Sequence, residues 1–518
     1  MKRVGIFGWG VVAPNSANIE AFSQNLKQAN SWLSPFNGFG PDNFLVGMPD
    51  FDFSAYKDWI DQRFLPNRYR QLTDKMDHPS LFAIAAFIQS LAQNPGIENE
   101  LQALGAQAHV YIGTGLGNLS TLSRETLNLD RAQRAWNRFW GDATRNQKLK
   151  DHLSAPTKQD IPVSNPEQAN PSERASIEED WYAYWTEQSV ELQDYLQELA
   201  NIESLIVNGD VEKEKLNVMK EKQRRKIKLQ NKWQAPIPPW EAVSANVVWN
   251  IANTPAAQVS MLGKITGLAF APVAACSTFG VTLKLAMDTI QRGEAKLVVI
   301  GATDPPPQPL LVGAFYKARV ASGNGQVSKP LAELRGTHVS GGSVVWIVGD
   351  YDYMKEKGYK PLGLEPLAVG VSSDADHIIT PSKDGPQAAI QQALDLAGIS
   401  PNDVALWDMH ATATPGDYSE IETLHEAISQ NVLVTARKGT FGHGMSAGGG
   451  WELTAQYLGY EEGIVFPTTL RKDELNAEIE HKHQNFVFDT TCQTPDGIAG
   501  KISTGVGGIN ACVIARPW

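Results

Sequence analysis

The 518-residue chain has three cysteines, Cys276, Cys492 and Cys512. They are too few and too oddly numbered for a disulfide framework, and their spacing suits no metal site. Long apolar runs are also missing, so no stretch reaches the length needed to cross a bilayer. A positive excess is absent too. The formal net charge of −12 argues against general nucleic-acid binding, and an anionic partner would need a local basic patch. The expectation is a cytoplasmic protein with reduced thiols and no membrane span. The opening "MKRVGIFGWGVVAPNS" lacks a small-residue cleavage site and reads as a first strand. Its "GIFGWG" falls short of a phosphate-binding glycine pattern.

What is present is an ordinary globular composition, 42% hydrophobic and 20% charged, in a chain too long for one core. Two domains or one duplicated unit is expected. Strand-like runs alternate with helical ones: "RVGIFGWGVV", "SLFAIAAFIQSLAQ", "AHVYIGTGLG", then "VTLKLAMDTIQRGEAKLVVIGA". That alternation predicts a layered α/β architecture. Between about 125 and 240 the texture becomes charged, helix-prone and rich in Trp and Tyr, around a Pro/Ser/Asn/Gln-rich loop. This block reads as a mainly helical insertion whose aromatics pack it, with a pocket cover or a partner surface as alternatives. Lys220–Lys232 reads as a solvated helix face.

Cys276 lies in "APVAACSTFGVTLK", before Leu283, Met287 and Ile290 at helical spacing. A helix beginning just after a thiol lowers its pKa through the dipole and free N–H groups. On its own, a lone cysteine among small residues is usually a packing residue. Two later segments bear on that choice: "DMHATATPGDYSEIE" with His410, and "ARKGTFGHGMSAGGGWELT" with Lys438 and His443. Two histidines beside glycines at strand ends suit a site that bonds a substrate oxygen through two Nε2 donors.

"VAACSTFG", "HATATPGD" and "KGTFGHGMSAGG" together resemble the three active-site motifs of the β-ketoacyl-acyl carrier protein synthases of the thiolase superfamily. "LTDKMDHPSLFAIAA", "VYIGTGLGNL", "GVSSDADHIITPSKDG" and "STGVGGINACVI" extend the likeness over roughly 400 residues; the insert has no counterpart. The resemblance implies a five-layered α-β-α-β-α thiolase fold made of two similar halves. These are placed at 1–328, carrying the nucleophile and the insert, and 329–518, carrying both histidines. It also implies a homodimer, no cofactor, and no metal.

By the same resemblance Cys276 carries the acyl group, while His410 and His443 polarise a malonyl thioester and stabilise its enolate. Lys438 matches the active-site lysine and Glu420 its partner carboxylate. Thr412 and Thr414 would bond the pantetheine arm, and the backbone amides of Cys276 and Val506 would form an oxyanion hole. Two histidines resemble the elongating branch of the family. The implied reaction is a decarboxylative condensation in fatty acid or polyketide-type synthesis. The acyl groups would arrive on acyl carrier protein or coenzyme A. A non-condensing decarboxylase, an acyltransferase and a partner subunit are the alternatives. Arg63, Arg68, Arg70 and Lys75 are the candidate docking residues for an acidic carrier.

The chain departs from the family pattern at four positions. Ala411 and Ala413 replace small residues of the histidine motif. Gly341 replaces an acidic residue, and Val506 stands where the family has a gating phenylalanine.

Overall fold

The computed structural model describes residues 2–40, 43–156, 160–206, 211–378 and 382–518. Residues 157–159 and 207–210 of the expected insert, and 379–381 of the motif "GVSSDADHIITPSKDG", lie outside that description. Residues Met1–Ser120 with Val248–Trp518 form one compact unit, and Thr121–Val247 form another.

The larger unit is built on two five-stranded sheets. The first contains β1 (Val4–Val12), β2 (Ala108–Gly113), β3 (Ala269–Phe270), β4 (Leu297–Asp304) and β5 (Gly342–Asp350), in the order β1-β5-β4-β2-β3. The second contains β6 (Leu364–Ser373), β7 (Val404–Asp408), β8 (Leu433–Thr435), β9 (Ile498–Gly505) and β10 (Ile509–Pro517), in the order β6-β10-β9-β7-β8. In each, the first two pairings are antiparallel and the last two parallel. Read in chain order, the two sheets therefore have one topology. The first sheet takes in Gly342–Asp350, so the chain crosses between sheets beyond the expected division at 328/329.

Helices α1 (His78–Ser90), α2 (Thr278–Gln291), α3 (Asp384–Ala397), α4 (Gly416–Ala427) and α5 (Met445–Glu462) complete the layers. α2 and α5 form the middle one: Phe279, Leu283, Ala447 and Trp451 share a core with Val298, Val344 and Trp346 of the first sheet and Val369, Ala499 and Val513 of the second. α5 is buried on all sides from Met445 to Gly459, as befits a helix between two sheets. α1 covers the outer face of the first sheet, and α3 and α4 cover that of the second. The result is the α-β-α-β-α architecture. Where α1 crosses β1, a Cβ on Gly10 would lie 1.9 Å from the Ala86 carbonyl, so only glycine allows this approach. Among the described residues no helix is long and apolar enough to cross a membrane.

The smaller unit is helical. Trp136, Trp140, Tyr195, Leu192, Leu199 and Leu229 form its main core, and Trp136 meets Trp140 edge to face with centroids 5.6 Å apart. Its basic helix, Val211–Trp233, spends much of its charge on neighbouring glutamates: Arg224 and Arg225 on Glu221, Lys226 on Glu203 and Glu241, and Lys232 on Glu198.

Candidate active site

Cys276 sits in the single turn Ala275–Ser277 that leads into α2, with Ala275 in the left-handed region at φ 47°. The turn is fastened to the second sheet: Ser277 Oγ lies 2.9 Å from the Ser503 carbonyl and 2.7 Å from that of Ile509. Those contacts bring the β9–β10 hairpin to the thiol's turn, where the backbone amides of Val506 and Cys276 favour the thiolate. The residue is 9% exposed. Burial pushes the thiol up to about 11, while Lys438 and the Val506 amide pull it back. The N-terminus of α2 favours the thiolate as well.

The two histidines converge from different elements. His410 follows β7, and its N–H and that of Ala411 donate to the two oxygens of Glu420, at 2.6 and 2.8 Å. His443 precedes α5, and its Nδ1 accepts the Met445 backbone N–H at 3.0 Å. A backbone amide can only donate, so the His443 proton resides on Nε2. Lys438 Nζ lies 3.4 Å from His410 Nδ1 and also bonds the His410 carbonyl. An ammonium likewise donates, which assigns His410 the same tautomer. The rings stand edge to face, with centroids 5.4 Å apart. Burial first, then Lys438, hold His443 down at about 3 and His410 well below its ordinary value. Both are neutral Nε2–H donors.

The carboxylate expected beside Lys438 is not Glu420. Lys438 Nζ instead meets Glu452 Oε1 at 2.7 Å, with the two side chains 2% and 0% exposed. Glu420 is already committed to the two amides around His410, and burial beside Asp417 raises its carboxyl to about 7. Asp417, unremarked in the sequence, gathers the backbone amides of Leu331, Thr412 and Ala413 and so shapes the histidine loop. Thr412 and Thr414 hold their hydroxyls 2.9 Å apart within this loop. Asp304, at the end of β4, does the same for a second loop: it accepts from Gly115, Leu116 and Ser446. Its signal was the acid closing the strand "VVIGATD".

One of the departures has a direct steric reason. A Cβ on Gly341 would lie 2.2 Å from the Pro305 carbonyl, so no longer side chain fits that backbone approach. Ala413 adopts φ 58°, a conformation glycine would take without strain. Val506, in the hairpin loop beside the buried thiol, is 50% exposed. Of the four basic docking candidates, Arg63 pairs with Glu98 and Arg70 with Asp74, while Arg68 donates to Gln258 and Lys75 lies over the Trp249 ring.

A family model described as beta-ketoacyl synthase, N-terminal domain, matches residues 219–350, and its C-terminal-domain counterpart matches residues 366–470. Over these two segments, which together make up a little under half of the chain, it is similar to the β-ketoacyl synthases. A 3-oxoacyl-[acyl-carrier-protein] synthase 2 of Staphylococcus aureus (strain COL) is 29% identical over 208 residues, covering 38% of this chain and 50% of that protein. A protein of the same name from Rhizobium meliloti (strain 1021) is 28% identical over 279 residues, 52% of this chain and 65% of its own. The chain thus spans about half to two-thirds of the length of these curated relatives. Among solved structures, the ishigamide ketosynthase/chain length factor aligns with TM-score 0.70 at 18% identity, covering 100% of this chain and 99% of its own. A type II PKS acyl-carrier protein in complex with its ketosynthase bound to the hexaketide gives TM-score 0.67 at 17% identity, with 100% of both chains covered. The fold is that of the thiolase-like ketosynthases.

Proposed function

We propose that the protein catalyses decarboxylative Claisen condensation of an acyl thioester with malonyl-acyl carrier protein. One observation carries this reading: a buried cysteine under the Val506 amide shares its electrostatic surroundings with two histidines fixed as Nε2–H donors.

Cys276, as thiolate, attacks the acyl thioester; the carrier thiol leaves with the proton and the acyl group stays on sulfur. The amides of Cys276 and Val506 receive the oxyanion. His410 and His443 then donate to the malonyl thioester carbonyl, carbon dioxide leaves, and the electron pair of the broken C–C bond becomes the enolate. Its carbon attacks the acyl-cysteine, giving the β-ketoacyl thioester and returning the Cys276 thiolate. Lys438 steadies His410, Glu420 fixes its backbone, and Thr412 and Thr414 face the pantetheine arm. A pair of histidines fits the elongating branch, and the exposed Val506 fits an acyl pocket without a bulky gate.

Acyl carrier protein is the expected partner, with coenzyme A as the alternative acyl donor. A carrier–ketosynthase complex among the structural neighbours supports this. The carrier would dock near Arg63, Arg68, Arg70 and Lys75. A homodimer is favoured by the edge strand β3, beside which Leu268 and Val273 are exposed. A cytoplasmic location suits the free thiols. The sheets favour two halves divided between β5 and β6.

Intact-mass analysis with a panel of acyl thioesters, then malonyl-acyl carrier protein, tests the reading. The expected result is an adduct on Cys276 that disappears as β-ketoacyl product forms, and is absent in Cys276→Ala. Carbon dioxide release without an adduct would overturn condensation in favour of a decarboxylase.

A further inference from the structure

Beneath the histidines lies a second buried lysine that the condensation scheme leaves unused. Lys501, on β9, is 1% exposed and sits opposite Asp408 of β7 in the parallel register. Its Nζ meets Glu452 Oε2 at 2.7 Å and Asp408 Oδ1 at 3.4 Å, and donates to the carbonyls of Ile502 at 2.6 Å and Met409 at 3.3 Å. Lys438 holds the other oxygen of the same glutamate and the next carbonyl along, that of His410. Two ammonium groups thus share one carboxylate and grip consecutive carbonyls of the segment that presents His410.

The geometry points to Lys501 as a second positioning lysine, which fixes the His410 segment from below and keeps an added positive charge near both rings. It touches no substrate and acts through His410. This inference rests on the condensing reading above.

The groups around His410 are Lys438, Lys501 and His443, with Glu420 beneath its backbone. Behind the lysines lie Glu452 and Asp408, and Arg437 is 3.6 Å from Asp408. Three cations therefore face two carboxylates, Glu452 and Asp408, with the raised Glu420 carboxyl nearby. An excess of positive charge opposes protonation of either ring. Removing Lys501 leaves Glu452 with Lys438 and Asp408 with Arg437, so no buried carboxylate is orphaned.

The experiment compares wild type with Lys501→Met, measuring acylation of Cys276 and decarboxylation of malonyl-acyl carrier protein on the same preparations. Acylation is expected within about twofold of wild type, while decarboxylation falls about tenfold in kcat. The acid limb of its pH profile is expected to rise by about one unit. Lys501→Arg, which keeps the charge, returns the limb to the wild-type position. Lys501→Gln, which keeps a donor for the two carbonyls, replaces the methionine variant if that one does not fold. An unmoved limb with unchanged decarboxylation overturns the inference. So does a proportional loss of both steps with an unmoved limb, the signature of a merely structural lysine. If wild-type protein neither acylates nor decarboxylates, the condensing reading falls. The titration of His410 in carbon-13-histidine-labelled protein then still decides: a raised midpoint in Lys501→Met supports the inference, and an equal one overturns it.

Discussion

The rings of His410 and His443 meet edge to face, their planes 81° apart and their centroids separated by 5.4 Å. Neither ring can be a proton acceptor at Nε2 while its Nδ1 receives a donor. The pair presents two N–H groups, an arrangement for holding one developing oxyanion rather than for abstracting a proton.

Acidification should act on folding through His443. Its pKa lies at about 3 in the folded protein against 6.5 ordinarily, so below pH 6.5 the unfolded chain takes up a proton that the folded protein does not. Its contribution to stability is lost as pH falls through that window, by about 1.4 kcal/mol per pH unit. Urea unfolding of wild type and His443→Gln at pH 6.5 and 5.5 measures it. The variant should gain on wild type by about 1 kcal/mol, since the unfolded histidine is already half protonated at pH 6.5, and a constant difference would show a histidine that titrates normally.

Glu452→Gln should be severe. It deprives Lys438 and Lys501 of the carboxylate they share, leaving buried ammonium groups under-compensated. The expected loss is about 3–5 kcal/mol, seen in chemical denaturation. Glu420→Gln, whose carboxyl is already raised to about 7, should cost visibly less at pH 6. Equal costs would contradict the pairing described here.

Ser277→Ala should loosen the nucleophile turn from the hairpin above it. The change withdraws one hydroxyl from two carbonyls, those of Ser503 and Ile509. A loss of about 1–3 kcal/mol is expected, together with slower acylation of Cys276, because the Val506 amide depends on the hairpin's position. Thermal unfolding and the rate of adduct formation check the two parts separately; normal acylation would detach the hairpin from the thiol's chemistry.

Cys276, the histidines and Lys438 stand out in the sequence because each lies in a short segment where glycines and small residues surround one reactive group. The alternation of strands and helices was legible too, since periodicity is a local property. The ion pairs were not. Glu452 reads as an ordinary polar position in "GGGWELT", and only the placement of α5 between two sheets shows it to be buried. Lys501 in "IAGKISTG" reads as the outward residue of a half-exposed strand, yet β9 is covered on both faces. The resemblance made Glu420 the lysine's partner, but the turn into α4 aims its carboxylate back at the backbone. Which charge meets which is decided by sheet register and helix placement.

Asp408 lies between Lys501 and Arg437, and Glu452 lies between Lys501 and Lys438, so the buried ions form a chain in which every member has two neighbours or ends on one that does. Such a chain resists piecemeal change. Randomising Glu452, which two lysines share, should return glutamate, whereas exchanging an oppositely charged pair together can return others. Sequences that diverge from this one should then gain or lose these charges in company.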